Sequence, residues 1–234
     1  MPAKAIDPPR LSIVIPALNA GGTLGAVLAS LGDGFGDGPG EVIVVDGGSS
    51  DQTTAIAGAA GAQVIKAVPG RGVQLAAGAD AAAGAWLLFL HADTVLGPTW
   101  QEVVRRFMMA HETDHQAAAF RFRLDDGAAL ARILERVVAI RVRLLGLPYG
   151  DQGLLISAAH YKAIGGFRSL PLMEDVDIVR RIGRARLHRL PGDALTSALR
   201  YRQGGYLRRP LRNILCLMLY FTGVPPRLIA RIYR

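Results

Sequence analysis

Cysteine is almost absent from this chain. The single one, Cys216, excludes an intramolecular disulfide and leaves nothing from which to build a Cys-based zinc site. Long apolar runs are missing too. The longest towards the end, "ILCLMLYFTGV" from Ile214, falls well short of the ~20 residues a membrane-spanning helix needs. The opening "MPAKAIDPPR" carries no apolar signal region. Together these absences lead us to expect a cytoplasmic protein that is neither exported nor threaded through a membrane. Aromatic residues make up only 6% of the chain, too few to interleave with basic residues as in single-strand nucleic-acid binders, and no nucleic-acid readout module is recognisable. Acids are scarce at one end: from Arg180 to Arg234 there are thirteen arginines and one acid, Asp193. With nucleic acid set aside, such a patch suits an anionic membrane face or a phosphorylated substrate.

What is present is an apolar chain of 234 residues, long enough for one α/β domain around a single core. "LSIVIP" (11–16), "EVIVVD" (41–46), "AQVIKA" (62–67) and "WLLFL" (86–90) read as short apolar strands, the last of them buried. Between them lie helices over 21–31, from Ser50 or Asp51, and over 71–83, with a Gly/Asp loop at 32–40. This alternation predicts right-handed βαβ units on a parallel sheet. The second half differs. "AAAFRFRLD" (117–125) alternates with period two, a long helix follows over 129–146, "QGLLIS" (152–157) reads as a strand, and Glu174 and Asp175 open another helix. Pro191 and Gly192 mark a break, so residues 11–192 are expected to form the domain and 193–234 a basic helical appendage packed on it.

Several stretches place polar side chains where apolar strands stop, and ligands of parallel sheets bind at the strands' carboxyl ends. "LLFLHADT" delivers His91 and Asp93 there. A carboxylate in that position suits Mg²⁺ or Mn²⁺, whose other ligands come from phosphates and water, and an imidazole suits Mn²⁺ better. "VVDGGSSDQTT" ends a strand in Asp46. The pattern fits a carboxylate that holds a base or ribose, and equally an ordinary strand-to-helix turn. Pro16, which lacks a ladder donor, and Ala17 end the first strand at the same edge. "GRGVQ" offers Arg71 and Gln74 to a phosphate at a helix start. "LMEDVDIVRRI" crowds Glu174, Asp175 and Asp177 into one helical turn. Complementarity to the helix dipole explains much of that, while mutual repulsion should lift one of the acids towards a useful base. "PYGDQGLL" sets Asp151 and Gln152 between glycines, where turn chemistry is the simpler reading.

Taken in chain order, "SIVIPALN", "VVDGGSSDQT", "LLFLHADT" and "LPLMEDVDIVRR" resemble the family 2 glycosyltransferases, which have the GT-A fold. "GRGVQ", "FLHAD", "FRFRLD", "GLPYGDQGL", "GGF" and "LRN" look more narrowly like small bacterial transferases associated with radical-SAM/selenodomain proteins. The resemblance implies a mixed α/β sheet flanked by helices, and an inverting transfer of sugar from a UDP- or GDP-sugar donor. It also implies roles for single residues. Asp46, with Pro16 and Ala17, would hold the nucleobase. Asp93, beside Ala92 and matching the last acid of the family's D-x-D, would bind a divalent cation together with His91, while Arg71 and Gln74 meet the donor. Asp175 would be the base of the Glu174–Asp175 pair. The chain departs from its relatives at His91, where many have Asp, at Ala20, where a Glu usually follows the Asn, and at Ala76, where an Asn is common.

The acceptor is left open. Arg132, Arg136 and Arg143 share one face of the long helix, and with the basic tail they fit a lipid-linked acceptor at an anionic membrane surface, the inner face of the cell membrane. A helix packed on the core with a solvated basic face fits equally. Two rival classes stay in view: a nucleotidyltransferase, which should carry a basic Gly-rich loop where "PALNAGGTLG" has none, and a non-catalytic nucleotide-sugar or membrane-binding module.

Overall fold

The computed structural model describes residues 11–32, 40–111, 115–199, 201, 205–206 and 208–233; the Pro-rich leader and most of the expected Gly/Asp loop lie outside them. The first half is built as the alternation predicts. Strands β1 (Leu11–Ala17), β2 (Gly40–Asp46), β3 (Gln63–Lys66) and β4 (Trp86–Phe89) alternate with helices α1 (Leu24–Ser30), α2 (Thr53–Ala59) and α3 (Arg71–Ala81). Their order in the sheet is β3-β2-β1-β4, all parallel. All seven residues of β1 are buried, because helices cover both faces. Ile13, Ile15, Val44 and Leu88 face α1, while Val14, Val45, Leu87 and Phe89 face α3. Pro16 is tolerated in this central strand because β4 has already left it, the last β1–β4 pair being Val14 with Phe89.

Beyond β4 the sheet becomes mixed. β5 (Thr94–Leu96) and α4 (Trp100–Ala110) are followed by β6 (Ala117–Leu124), α5 (Ala129–Leu145), β7 (Leu154–Ser157), α6 (Ala158–Ala163), α7 (Glu174–Ile182) and β8 (Leu187–Thr196). Strand β7 is antiparallel to both β4 and β6, β8 is parallel to β6, and β5 closes the far edge. The break expected at Pro191 and Gly192 is not there, since β8 runs straight through both residues. The register explains how: Ala119 pairs with Arg189 but Arg121 pairs with Asp193, so Leu190, Pro191 and Gly192 bulge opposite Phe120 alone. A Cβ at residue 192 would come within 3.2 Å of the Phe120 ring. A boundary at 192 would therefore cut a strand in two.

Helices α8 (Arg208–Phe221) and α9 (Pro226–Tyr233) complete the chain, and Cys216, Leu217 and Ile229 join the same apolar cluster as Phe89, Val176 and Ile178. Among the described residues no helix is long and apolar enough to cross a membrane. Helix α5 departs from expectation. It buries Ala131, Leu134, Val138 and Val142 against β6, and its buried Glu135 accepts from the Leu124 amide at 2.9 Å and from Arg123 and Arg132 at 2.7 and 2.8 Å. Arg132 is thereby a structural ion-pair partner rather than part of a free basic face. A second apolar stripe, Ile133, Val137, Ile140 and Leu144, is left exposed.

Candidate active site

Strand β4 ends at Phe89, and the chain that leaves it carries His91 and Asp93 into a cavity of about 110 Å³. Asp175 enters the same cavity from the first turn of α7, and Asp151 from the turn before β7. The helix start is set by Met173, held at φ 67°, a conformation a side chain this large adopts only when its surroundings impose it. Met173 also lines the cavity.

The three acids of that helical turn separate into different tasks. Glu174, 2% exposed, meets the Arg71 guanidinium at 2.6 Å. Burial pushes its carboxyl above the usual range and Arg71 pulls it back. The expected repulsion is thus only a lesser contributor. Asp177 accepts from Arg168 at 3.1 Å and from Arg181 at 2.6 Å. Only Asp175 is left facing the cavity, where its Oδ2 accepts from the Gly150 amide at 3.1 Å. Glu174 lies outside that wall, whereas Arg71 belongs to it.

Asp151, whose place between glycines reads most simply as turn chemistry, belongs to this cavity. Its Oδ1 is a buried acceptor with no hydrogen-bond partner. Its carboxyl is pushed up to about 6, first by burial, with Asp175 and Asp93 adding to the rise and Arg141 and Arg71 opposing it. The cavity wall also includes Tyr149, Tyr201, Arg209, Asn213 and Tyr233, most of them from the basic tail. Only the glycines around Asp151 hinted at this; nothing in the tail's pattern shows that it folds back on the carboxyl end of the sheet.

Other expected residues do not line this cavity. Asp46, 2% exposed, accepts from the amides of Gly48 and Ser49 at 3.1 Å, as in a strand-to-helix turn. It pairs in register with Ala17 at the sheet edge. Gln74 faces inward, donating to the carbonyls of Ala17 and Val45 at 2.8 Å each, so it ties α3 to two strands and is not offered to a phosphate. The Ala17 carbonyl is also taken by the Gly47 amide at 2.8 Å, and the Ala92 carbonyl accepts from the Thr23 hydroxyl at 2.7 Å.

Among the described residues no three or more His, Cys, Asp or Glu side chains converge closely enough to hold a metal ion by themselves. Yet His91, Asp93 and Asp151 share one cavity, and Oδ1 of Asp151, like that of Asn213 in the same wall, lacks a hydrogen-bond partner. This set fits a hard divalent cation that completes its shell with a diphosphate and water, and does not fit one caged by protein alone. The imidazole is held in place by a close approach. A Cβ at Gly150 would lie 2.4 Å from His91 Nε2. Gly150→Ala is therefore expected to push the ring aside and lower activity roughly ten- to hundredfold, since displacements near 1 Å cost on that order. Activity within twofold of the unsubstituted chain would mean that the position of His91 is immaterial.

The model of the family described as "Glycosyl transferase family 2" matches residues 12–164. No curated protein matches the chain significantly. Among solved structures, glucosyl-3-phosphoglycerate synthase from Mycobacterium tuberculosis, in complex with Mn²⁺, UDP and glucosyl-3-phosphoglycerate, is similar over 93% of this chain and 81% of its own, with 22% identity and a TM-score of 0.57. S. aureus TarS (1–349) in complex with UDP is similar over 81% of this chain and 61% of its own, with 19% identity and a TM-score of 0.63. These likenesses establish the fold as GT-A: a mixed sheet flanked by helices, whose carboxyl edge here carries Asp93, Asp151 and Asp175. With the family matched from Ser12 in β1 to Ile164 just after α6, the chain belongs to glycosyl transferase family 2 and is a glycosyltransferase.

Proposed function

We propose that the enzyme transfers a sugar with inversion from a UDP- or GDP-sugar to an acceptor hydroxyl, Asp175 acting as general base. The observation that carries this reading is the meeting of His91, Asp93, Asp151 and Asp175 in one cavity. Asp175 takes the proton of the acceptor's O–H. The acceptor oxygen forms the new bond to the anomeric carbon, and the bond from that carbon to the diphosphate breaks, its electron pair leaving with the diphosphate. Arg71, fixed by Glu174, places a cation at the cavity wall for the departing charge. Asp93 and His91, with Asp151, would hold Mn²⁺ or Mg²⁺, which supplies charge neutralisation of the leaving diphosphate. The nucleobase is assigned to the carboxyl edge beside Asp46, Pro16 and Ala17. UDP bound by the M. tuberculosis synthase and by TarS, and Mn²⁺ in the former, support the donor class. The motif order in the second half supports a place among the radical-SAM/selenodomain-associated transferases.

A thermal-shift series tests the donor and the cation together. UDP or GDP with Mn²⁺ is expected to raise stability by about 2.7 kcal/mol at 100 times the dissociation constant. Mn²⁺ alone should do little, because the protein offers only part of a coordination shell. If neither nucleotide shifts the transition with metal present, the donor class is wrong.

A further inference from the structure

The cavity that holds Asp175 does not end at its own wall. Tyr149, Asp151, Tyr201 and Asn213 also line a second and larger space, a groove of about 1000 Å³ between α5 and α8. This is the upper end of what small-molecule sites occupy. Its sides are aliphatic and open to solvent: Val137 is 48% exposed, Leu145 56%, Ile214 43% and Met218 60%. The outer stripe of α5 extends the apolar surface on one bank, and Leu211, Leu215 and Phe221 extend it on the other. A contiguous apolar surface of this kind marks a binding site rather than scatter.

The groove is also charged. Arg141, Arg180 and Arg184 line it, and none of them forms a salt bridge among the described residues. Arg141 lies 3.5 Å over the Tyr149 ring, where groove and cavity meet, and Arg180 lies 4.9 Å over Phe221. An aliphatic trough, cations along it and a far end that shares Tyr149 and Asp151 with the cavity of the proposed base describe one kind of molecule. A small water-soluble acceptor would leave the trough unused.

We propose that the acceptor is an amphiphile with an anionic, hydroxyl-bearing head and an aliphatic tail, the tail lying between α5 and α8 and the head reaching Asp175 past Tyr149. This rests on reading the cavity as the site of sugar transfer. The probes are octyl, decyl and dodecyl phosphate, titrated below their micelle concentrations into the full chain with UDP and Mn²⁺ and followed by calorimetry. Affinity is expected to rise with tail length, by up to about fourfold per methylene. Dodecyltrimethylammonium and inorganic phosphate should bind at least tenfold more weakly than dodecyl phosphate. Val137→Asp and Ile214→Asp alter exposed positions, so folding should be kept. They should weaken dodecyl phosphate at least tenfold and leave the shift given by UDP with Mn²⁺ unchanged. Indifference to tail length, equal binding of the cationic amphiphile, or unaltered binding by both variants would overturn the proposal. So would a dimer in sedimentation that the same two substitutions dissociate, because the groove would then belong to a second copy. Tail-dependent binding in a protein that no nucleotide stabilises would remove the proposed UDP- or GDP-sugar donor and leave the groove's ligand class standing.

Discussion

Asp175→Asn is expected to lower turnover by about 10²- to 10⁴-fold, the usual contribution of a positioned general base. The substitution keeps size and shape and removes the ability to take a proton. Asp175 is the one acid of its helical turn that is free for this task, because Glu174 is engaged by Arg71 and Asp177 by Arg168 and Arg181. Its geometry is held from outside the helix by the Gly150 amide, at 3.1 Å, and an asparagine oxygen can accept the same bond. Single-turnover rates with saturating donor report the chemical step, and the thermal shift given by UDP with Mn²⁺ reports whether the donor site survives. A large loss of rate with an unchanged shift identifies the base. A variant that turns over as fast as the unsubstituted chain removes Asp175 from that role.

The parts of this site that could be read from sequence are those carried by strand ends. "WLLFL" is buried on both faces and stops at His91 and Asp93, so the position of those side chains at the carboxyl edge follows from hydrophobic pattern alone. Strands β1 and β2 were legible for the same reason, whereas β3, an edge strand whose four residues are exposed or half-buried, was legible from its place in the alternation of strands and helices. Gln74 was not, because a polar residue in the first turn of a helix looks the same whether it turns to solvent or, as here, inward to two backbone carbonyls. Strand β8 was hidden by Pro191 and Gly192, whose breaking tendency is absorbed by a bulge opposite Phe120 that only the partner strand reveals. The exposed stripe of α5 was hidden by a different ambiguity. Two apolar stripes run along that helix, and only the position of β6 decides that Leu134 and Val138 are buried while Val137 and Ile140 are not. Asp151 needed the most long-range information, since its environment is made by Asp93, Arg141 and Asp175, far apart in sequence.

Asp151 gives the second large effect. In the metal-free protein its carboxyl titrates near 6 instead of its ordinary 3.8, burial being the main cause. Between those values the folded protein holds a proton that the unfolded chain has released, so stability falls as pH rises through this window and levels off above it. A shift of this size corresponds to roughly 3 kcal/mol at neutral pH. Asp151→Asn abolishes the titration and should flatten that part of the profile. An asparagine amide without a partner costs about 1–3 kcal/mol of its own at every pH, so the slope decides and not the absolute stability. Chemical denaturation of both chains at pH 4.5, 5.5, 6.5 and 7.5, with chelator present, measures it. The unsubstituted protein should lose stability relative to the variant across the series. Parallel profiles would mean that Asp151 is solvated as an ordinary surface carboxylate. The expected loss has a functional meaning: a buried acceptor left without a partner lowers stability, and a fold tolerates that where the group is needed for binding or chemistry. A cation arriving with a nucleoside diphosphate would give that oxygen the partner it lacks.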